Sequence, residues 1–189
     1  MKKRFLVPLV ATLTLSLSGC ATVLVGATAA GIASANDSRT VGAQVDDQAI
    51  EIKAVATLND DTRLKAARIQ VVSFNRTVLL MGQVEHERLR SYAAEQIRQV
   101  DGVVRVHNEI RVGEVIGLGQ ISKDSWITSK VKTQLLASEN VEGSRIKVVT
   151  ENGEVFLLGL ISADDAETAV EIARNVNGVT RVIDAFEVR

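Results

Sequence analysis

The chain has 189 residues, with 22 basic and 23 acidic side chains, a net charge of −1, and 3% aromatic residues. That balance argues against a nucleic-acid protein, which needs a broad basic face. One Cys and two His, His86 and His107, leave too few ligands for a zinc site and exclude a disulfide within the chain.

The first segment has the form of a targeting signal. Lys2, Lys3 and Arg4 make a positive n-region, and Phe5 to Leu17 is an apolar h-region interrupted by Pro8. Leu17-Ser18-Gly19-Cys20 follows, a pattern similar to the bacterial lipobox. That resemblance implies cleavage after residue 19 and acylation of Cys20 as thioether and amide. In lipoproteins of this kind Ala21, in place of Asp, implies sorting to the outer membrane. The competing reading is an uncleaved membrane span within the uncharged stretch 5–36. Removing residues 1–19 takes away three basic residues and no acidic ones, which leaves 19 basic against 23 acidic and a net charge of −4. Residues 20–45 are rich in Ala, Gly, Thr and Ser, and read as a lipidated tether.

An internal repeat organises the remainder. At a shift of 77 residues, Ile50, Ala54 and Leu58 fall on Ile127, Val131 and Leu135, and 68–72 falls on 145–149. Val78-Leu-Leu-Met-Gly82 falls on Val155-Phe-Leu-Leu-Gly159, and after a one-residue gap Val100-Asp-Gly-Val103 falls on Val176-Asn-Gly-Val179. Agreement in order and spacing marks a tandem duplication. The expected fold class is therefore α+β. It comprises two tandem αββαβ sandwich domains at 46–112 and 124–189, each a three-stranded sheet covered by two helices, joined by a linker at 113–123.

Within each copy the elements follow from local chemistry. Asn152-Gly153 between two β-rich runs predicts a hairpin, because both residues tolerate positive φ. Asn75-Arg76, its counterpart, is a poorer turn. Glu85 to Gln99 and Ala163 to Asn175 read as helices that stop at Gly102 and Gly178. In the linker, Gly117-Leu118-Gly119 lacks the third Gly and the βαβ setting of a phosphate loop.

The stretch Asp124 to Leu136 carries the one Trp of the chain. Ile127, Val131 and Leu135 recur every four residues, and Asp124 or Ser125 is placed to cap the helix. At 100° per residue, Trp126 and Leu136 each lie about 140° from the centre of that apolar stripe, on either side of an outer face that holds Ser129, Lys130 and Thr133. Trp126 either folds back against its own or the neighbouring domain, or belongs to a surface for a membrane or a partner.

Gly82 and Gly159 at strand ends, with Gly102-Val103 and Gly178-Val179 before the last strands, give both copies the pattern of a BON domain. Together with Arg39–Asp47, Ile116-Gly-Leu-Gly119, Trp126-Ile-Thr and Thr150–Leu157, they make residues 17 to 189 similar to the dual BON-domain lipoproteins of the bacterial outer membrane. The resemblance implies an αββαβ fold and a non-enzymatic role in envelope integrity, with the protein facing the periplasm and enrichment at the division septum left open. It also implies an anionic, phosphatidylglycerol-like phospholipid membrane as partner, met by the first helix of the second domain. Carried over, the lipid-binding set is Trp126, Ile127, Lys130, Val131, Lys132, Thr133 and Leu136, with Val131 on the core side of the helix and the lipidation site at Cys20. Ala49 and Asn59 stand in the first copy where the second has Trp126 and Leu136, so this surface is expected in the second copy alone.

Nothing points to catalysis. The doublets Asp46-Asp47, Asp60-Asp61 and Asp164-Asp165 stand near expected helix starts or turns, where carboxylates cap backbone donors and favour the dipole. No cofactor and no nucleic acid is expected. The alternative to lipid binding is a periplasmic adaptor that uses the same Trp-bearing surface for outer-membrane or division proteins. The lipobox reading has a direct check: Cys20→Ala should release the protein from membranes or leave an uncleaved precursor, and a mutant still processed and firmly membrane-bound would contradict it.

Overall fold

A computed structural model describes residues 39–188; the signal segment, Cys20 and most of the expected tether lie outside them. The first unit runs α1 (Val41–Asp60), a one-turn 3-10 helix (Thr62–Leu64), β1 (Arg68–Phe74), β2 (Thr77–Val84), α2 (Glu87–Arg98) and β3 (Arg105–Val112). The second repeats it with α3 (Leu118–Ala137), a 3-10 turn (Gly143–Arg145), β4 (Lys147–Glu151), β5 (Glu154–Leu158), β6 (Leu160–Ile161), α4 (Ala163–Arg174), β7 (Arg181–Asp184) and β8 (Glu187–Val188). In both, the hairpin strands pair antiparallel and the last strand adds parallel to the second, giving the orders β1-β2-β3 and β4-β5-β7. The short β6–β8 pair keeps the parallel register of β5–β7 beyond Gly159.

Each sheet has one face under its own two helices. Ile50, Ala54 and Leu58 of α1, Ala93, Ala94 and Ile97 of α2, and Val78, Leu80, Val84 and Ile110 of the strands form the first core. Ile127, Val131 and Leu135 of α3 join Ala166, Ala169 and Ala173 of α4 over Val148, Val155 and Leu157 in the second. The alternate strand residues form a third cluster: Val72, Phe74, Leu79 and Met81 of the first sheet pack on Phe156 and Leu158 of the second. Period-two alternation sends these side chains to the opposite sheet face, so the two sheets meet face to face and the helices form the outer layers.

Polar groups border this contact. Glu151 is buried and accepts from Arg68 at 3.1 and 3.2 Å, from Gln70 at 2.6 Å and from Gln83 at 2.9 Å. Arg111 makes a two-pronged contact with Glu154 at 3.0 and 3.2 Å, and Arg181 reaches Glu109 at 3.2 Å. Burying a carboxylate is tolerated because its lone pairs are filled.

Two helix starts differ from the sequence expectation. α1 begins at Val41, inside the stretch read as tether, and α3 begins at Leu118, capped by Gly117, so only residues 113–117 remain as linker. Asp124 is therefore no N-cap. It lies within α3, 4% exposed, and accepts from the hairpin amides of Asn152 at 2.7 Å and Gly153 at 2.9 Å, and from Gln120 at 2.9 Å. Asp47 does the same in α1: it is 3% exposed and accepts from the amides of Asn75 and Arg76 and the hydroxyl of Ser73, each at 2.7 Å, with Arg39 beside it. The turns need this support. Asn75, Arg76 and Asn152 all hold positive φ, at 49°, 63° and 52°, which L residues adopt at a cost and which leaves adjacent N–H groups pointing inward.

Gly82 and Gly159 are both required by close backbone approach. A Cβ on Gly82, whose φ is +125°, would lie 2.0 Å from the carbonyl oxygen of Arg68, and one on Gly159 would lie 2.8 Å from that of Arg145.

The carboxylate latch makes a stability prediction. Asp124→Ala strips the acceptor from two turn amides, and should destabilise the protein by roughly 3 kcal/mol. A urea midpoint unchanged from the parent would show that the latch does not hold the hairpin.

Candidate functional site

α3 packs its inner face on the second core, and this divides the expected lipid-binding set. Val131 is 0% and Ile127 3% exposed, both within that core. Val131 cannot touch a ligand outside the fold; as a contact residue it is corrected, and its part is to seat the helix, whereas Ile127 also lines the groove beside Trp126. Trp126, Lys130, Lys132, Thr133 and Leu136 all lie on the exposed side, with Trp126 49% and Leu136 61% exposed. Trp126 is thus half exposed at the edge of its own domain and is not packed on the first, since α3 is an outer layer and the sheets meet on its far side.

The Trp126 ring is held by a cation–π contact. The Lys130 ammonium stands 4.4 Å from the ring centroid, one turn along the helix. On the other flank a groove of about 410 Å³ runs between Trp126, Lys123 and the turns at Asn152 and Asn177. Along the outer face a shallower groove of about 330 Å³ is lined by Trp126, Ser129, Lys130, Thr133 and Gln134.

The hydroxyl groups of this face are already satisfied. Ser122, Ser125, Ser129 and Thr133 each donate to the carbonyl four residues earlier, at 2.9 to 3.0 Å. Such hydroxyls lose little when water is removed. Lys123, Lys130 and Lys132 are exposed, whereas Asp124, the one acidic residue of α3, is buried and committed to the hairpin. The outer face therefore presents apolar and hydroxyl groups with a purely cationic border.

Leu118 was missed from sequence. It is 82% exposed and stands five full turns from Leu136, on the same side of the helix. Its 18-residue separation from Leu136 was the available signal, hidden because Gly117-Leu118-Gly119 reads as linker. Among the described residues, no group of three or more His, Cys, Asp or Glu is placed to hold a metal, and no helix is long and apolar enough to cross a membrane.

Comparison with known proteins places this geometry in context. Residues 46–114 and 123–189 each match the BON domain family. The chain is 48% identical over 148 residues to the 21 kDa hemolysin of Actinobacillus pleuropneumoniae, a match covering 78% of this chain and 76% of that one. It is 39% identical over 175 residues to the outer membrane lipoprotein DolP of Haemophilus influenzae, covering 92% and 91%. It is 33% identical over 148 residues to the osmotically-inducible protein Y of Escherichia coli, covering 75% and 72%.

The exposure of Trp126 can be read in solution. Its emission in the free protein should be that of a solvated indole and be strongly quenched by acrylamide; a blue-shifted, protected emission would contradict this placement.

Proposed function

The chain belongs to the BON domain family, and from that premise we propose that it is an outer-membrane lipoprotein whose second domain binds anionic phospholipid through the outer face of α3. A relative matched over 92% of the chain is an outer membrane lipoprotein by name, and the lipobox at Leu17–Cys20 supplies the anchor. The observation that carries the lipid reading is the composition of one helix face: Leu118, Trp126 and Leu136 exposed, three lysines beside them, and no exposed carboxylate.

The energies are modest and complementary. Three lysines at roughly 1 kcal/mol each near an anionic surface give weaker than millimolar affinity. Inserting Trp126 and Leu136 adds about 1.5–3 kcal/mol each at full burial, less for a ring already half covered. Neither term suffices alone, but an acyl anchor at Cys20 raises the local lipid concentration, so weak contact is enough. The face lies in the headgroup region without spanning, as amphipathic surfaces do. Enrichment at the division septum is the finer part of this proposal, and follows wherever anionic lipid is concentrated.

Trp126→Glu tests the mechanism. The side chain is exposed, so the fold should survive with an unchanged melting temperature, while binding to anionic vesicles falls by at least about tenfold. Added salt should weaken parental binding only in part, because the apolar term is unscreened. Equal binding by the variant, or equal binding to zwitterionic vesicles, would sink the reading. The adaptor alternative on this same surface predicts instead that Trp126→Glu leaves vesicle binding intact and abolishes a protein contact.

A further inference from the structure

The groove beside Trp126 holds polar groups that a bilayer contact does not use. Lys130 covers one side of the indole, and the groove of about 410 Å³ opens on the other flank. Its volume falls within the roughly 300–1,000 Å³ of small-molecule sites. Lys123 lines it from the helix, and Asn152, Asn177 and Thr180 line it from the turns. All four are exposed, and their side chains have no hydrogen bond or ion pair among the described residues. Gly153 lines it without a side chain; a Cβ there would stand 3.2 Å from the Thr180 hydroxyl.

The first copy lacks these features. Ala49 stands where the second copy has Trp126, Asp46 where it has Lys123, and Arg76 where it has Gly153. Past the one-residue gap, Asp101 and Val104 stand where it has Asn177 and Thr180. Arg76 reaches across to donate to the carbonyl of Gly102 at 2.9 Å, and Asp101 is paired with Lys53 at 3.3 Å. The same place is thus crossed by a side chain in one copy and open in the other.

The chemistry of the open groove favours a ligand that both donates and accepts hydrogen bonds. Side-chain amides and hydroxyls each do both, whereas an ionised phosphate or carboxylate only accepts. The backbone donors of Asn152 and Gly153 are held by Asp124 at 2.7 and 2.9 Å, and that of Thr180 by the Gly153 carbonyl at 2.9 Å. They form no nest for a bare anion. Hydroxyl and acetamido groups match the side chains, and the polarised C–H face of a sugar ring matches the electron-rich face of an indole. A glycerol headgroup has fewer hydroxyls than this groove has partners, and no ring face for the indole.

We propose that this groove is a saccharide site, which takes one ring of an acidic glycan. The ring lies on Trp126, its hydroxyl or acetamido groups meet Asn152, Asn177 and Thr180, and its carboxylate meets Lys123. The site shares Trp126 with the lipid-binding face but does not rest on that reading.

The test uses the purified full chain in a polyoxyethylene detergent, which carries no competing sugar. The probes are tetragalacturonate, the neutral tetramer of N-acetylglucosamine, and glycerol phosphate. The emission of Trp126, the one Trp of the chain, reports binding. Tetragalacturonate should change it saturably, the neutral tetramer should bind more weakly, and glycerol phosphate should have no effect. Asn177→Ala with Thr180→Val should weaken tetragalacturonate binding by about tenfold, the effect of two lost hydrogen bonds. That variant should keep the parental melting temperature and the parental binding to anionic vesicles, which separates this site from the lipid contact. Lys123→Gln should narrow the preference for the acidic over the neutral tetramer by about threefold. Four results would overturn the proposal: no saturable binding of either tetramer, an equal response to glycerol phosphate, tighter binding of the neutral tetramer than of the acidic one, or binding indifferent to Asn177→Ala with Thr180→Val.

Discussion

Phe156 is among the largest fully buried side chains of the protein, and it lies inside neither domain core. It is trapped between the two sheets, with Leu79 and Met81 opposite. The rest of the arrangement depends on that contact. Once both sheets spend their free faces on each other, every helix among the described residues is an outer layer, and the broad surfaces these residues leave are helix faces. The polar ring of Arg68, Gln70 and Gln83 around Glu151 sets the register of the contact, since a carboxylate buried there has no alternative partners.

From this follows a division of labour between helix faces. The inward residues of α1 and α3 are nearly interchangeable, because both seat the same kind of helix on the same kind of sheet. The outward residues have diverged: aliphatic at Val41, Val45 and Ile52 of α1, indole and hydroxyl with lysines on α3. Ile127 and Val131 belong to the first class, although they neighbour Trp126 in sequence. A helix mixes the two classes every second or third residue, so a run of consecutive names describes a helix but not a surface.

Much of this was legible in the sequence. The 77-residue repeat, the hairpin turns and the paired glycines predicted two αββαβ domains, and the 140° offset of Trp126 placed it off the apolar stripe while leaving open whether it folds back or stands exposed. The helix starts were not legible. The inward stripe of α3 is polar at Gln120 and Asp124, because its first turns lie over a hairpin turn and not over apolar core, so the hydrophobic period stops short of the helix. The carboxylate latch escaped for a related reason. An Asp near an expected helix start reads as a cap, and only the match of Asp47 to Asp124 across the repeat hinted at a shared task. The face-to-face sheets were half legible: the sheet face away from the helices had to be partly polar or covered by the other copy, and the second of these holds.

The shared layer between the sheets also decides how the molecule comes apart. Tandem duplicates commonly melt as separate units, each with its own transition. Here the loss of either half uncovers an apolar sheet surface on the other, Val72, Phe74, Leu79 and Met81 on one side or Phe156 and Leu158 on the other. Such a bared sheet is a template for aggregation. The shared layer therefore couples the unfolding of the two halves and favours one cooperative transition over two.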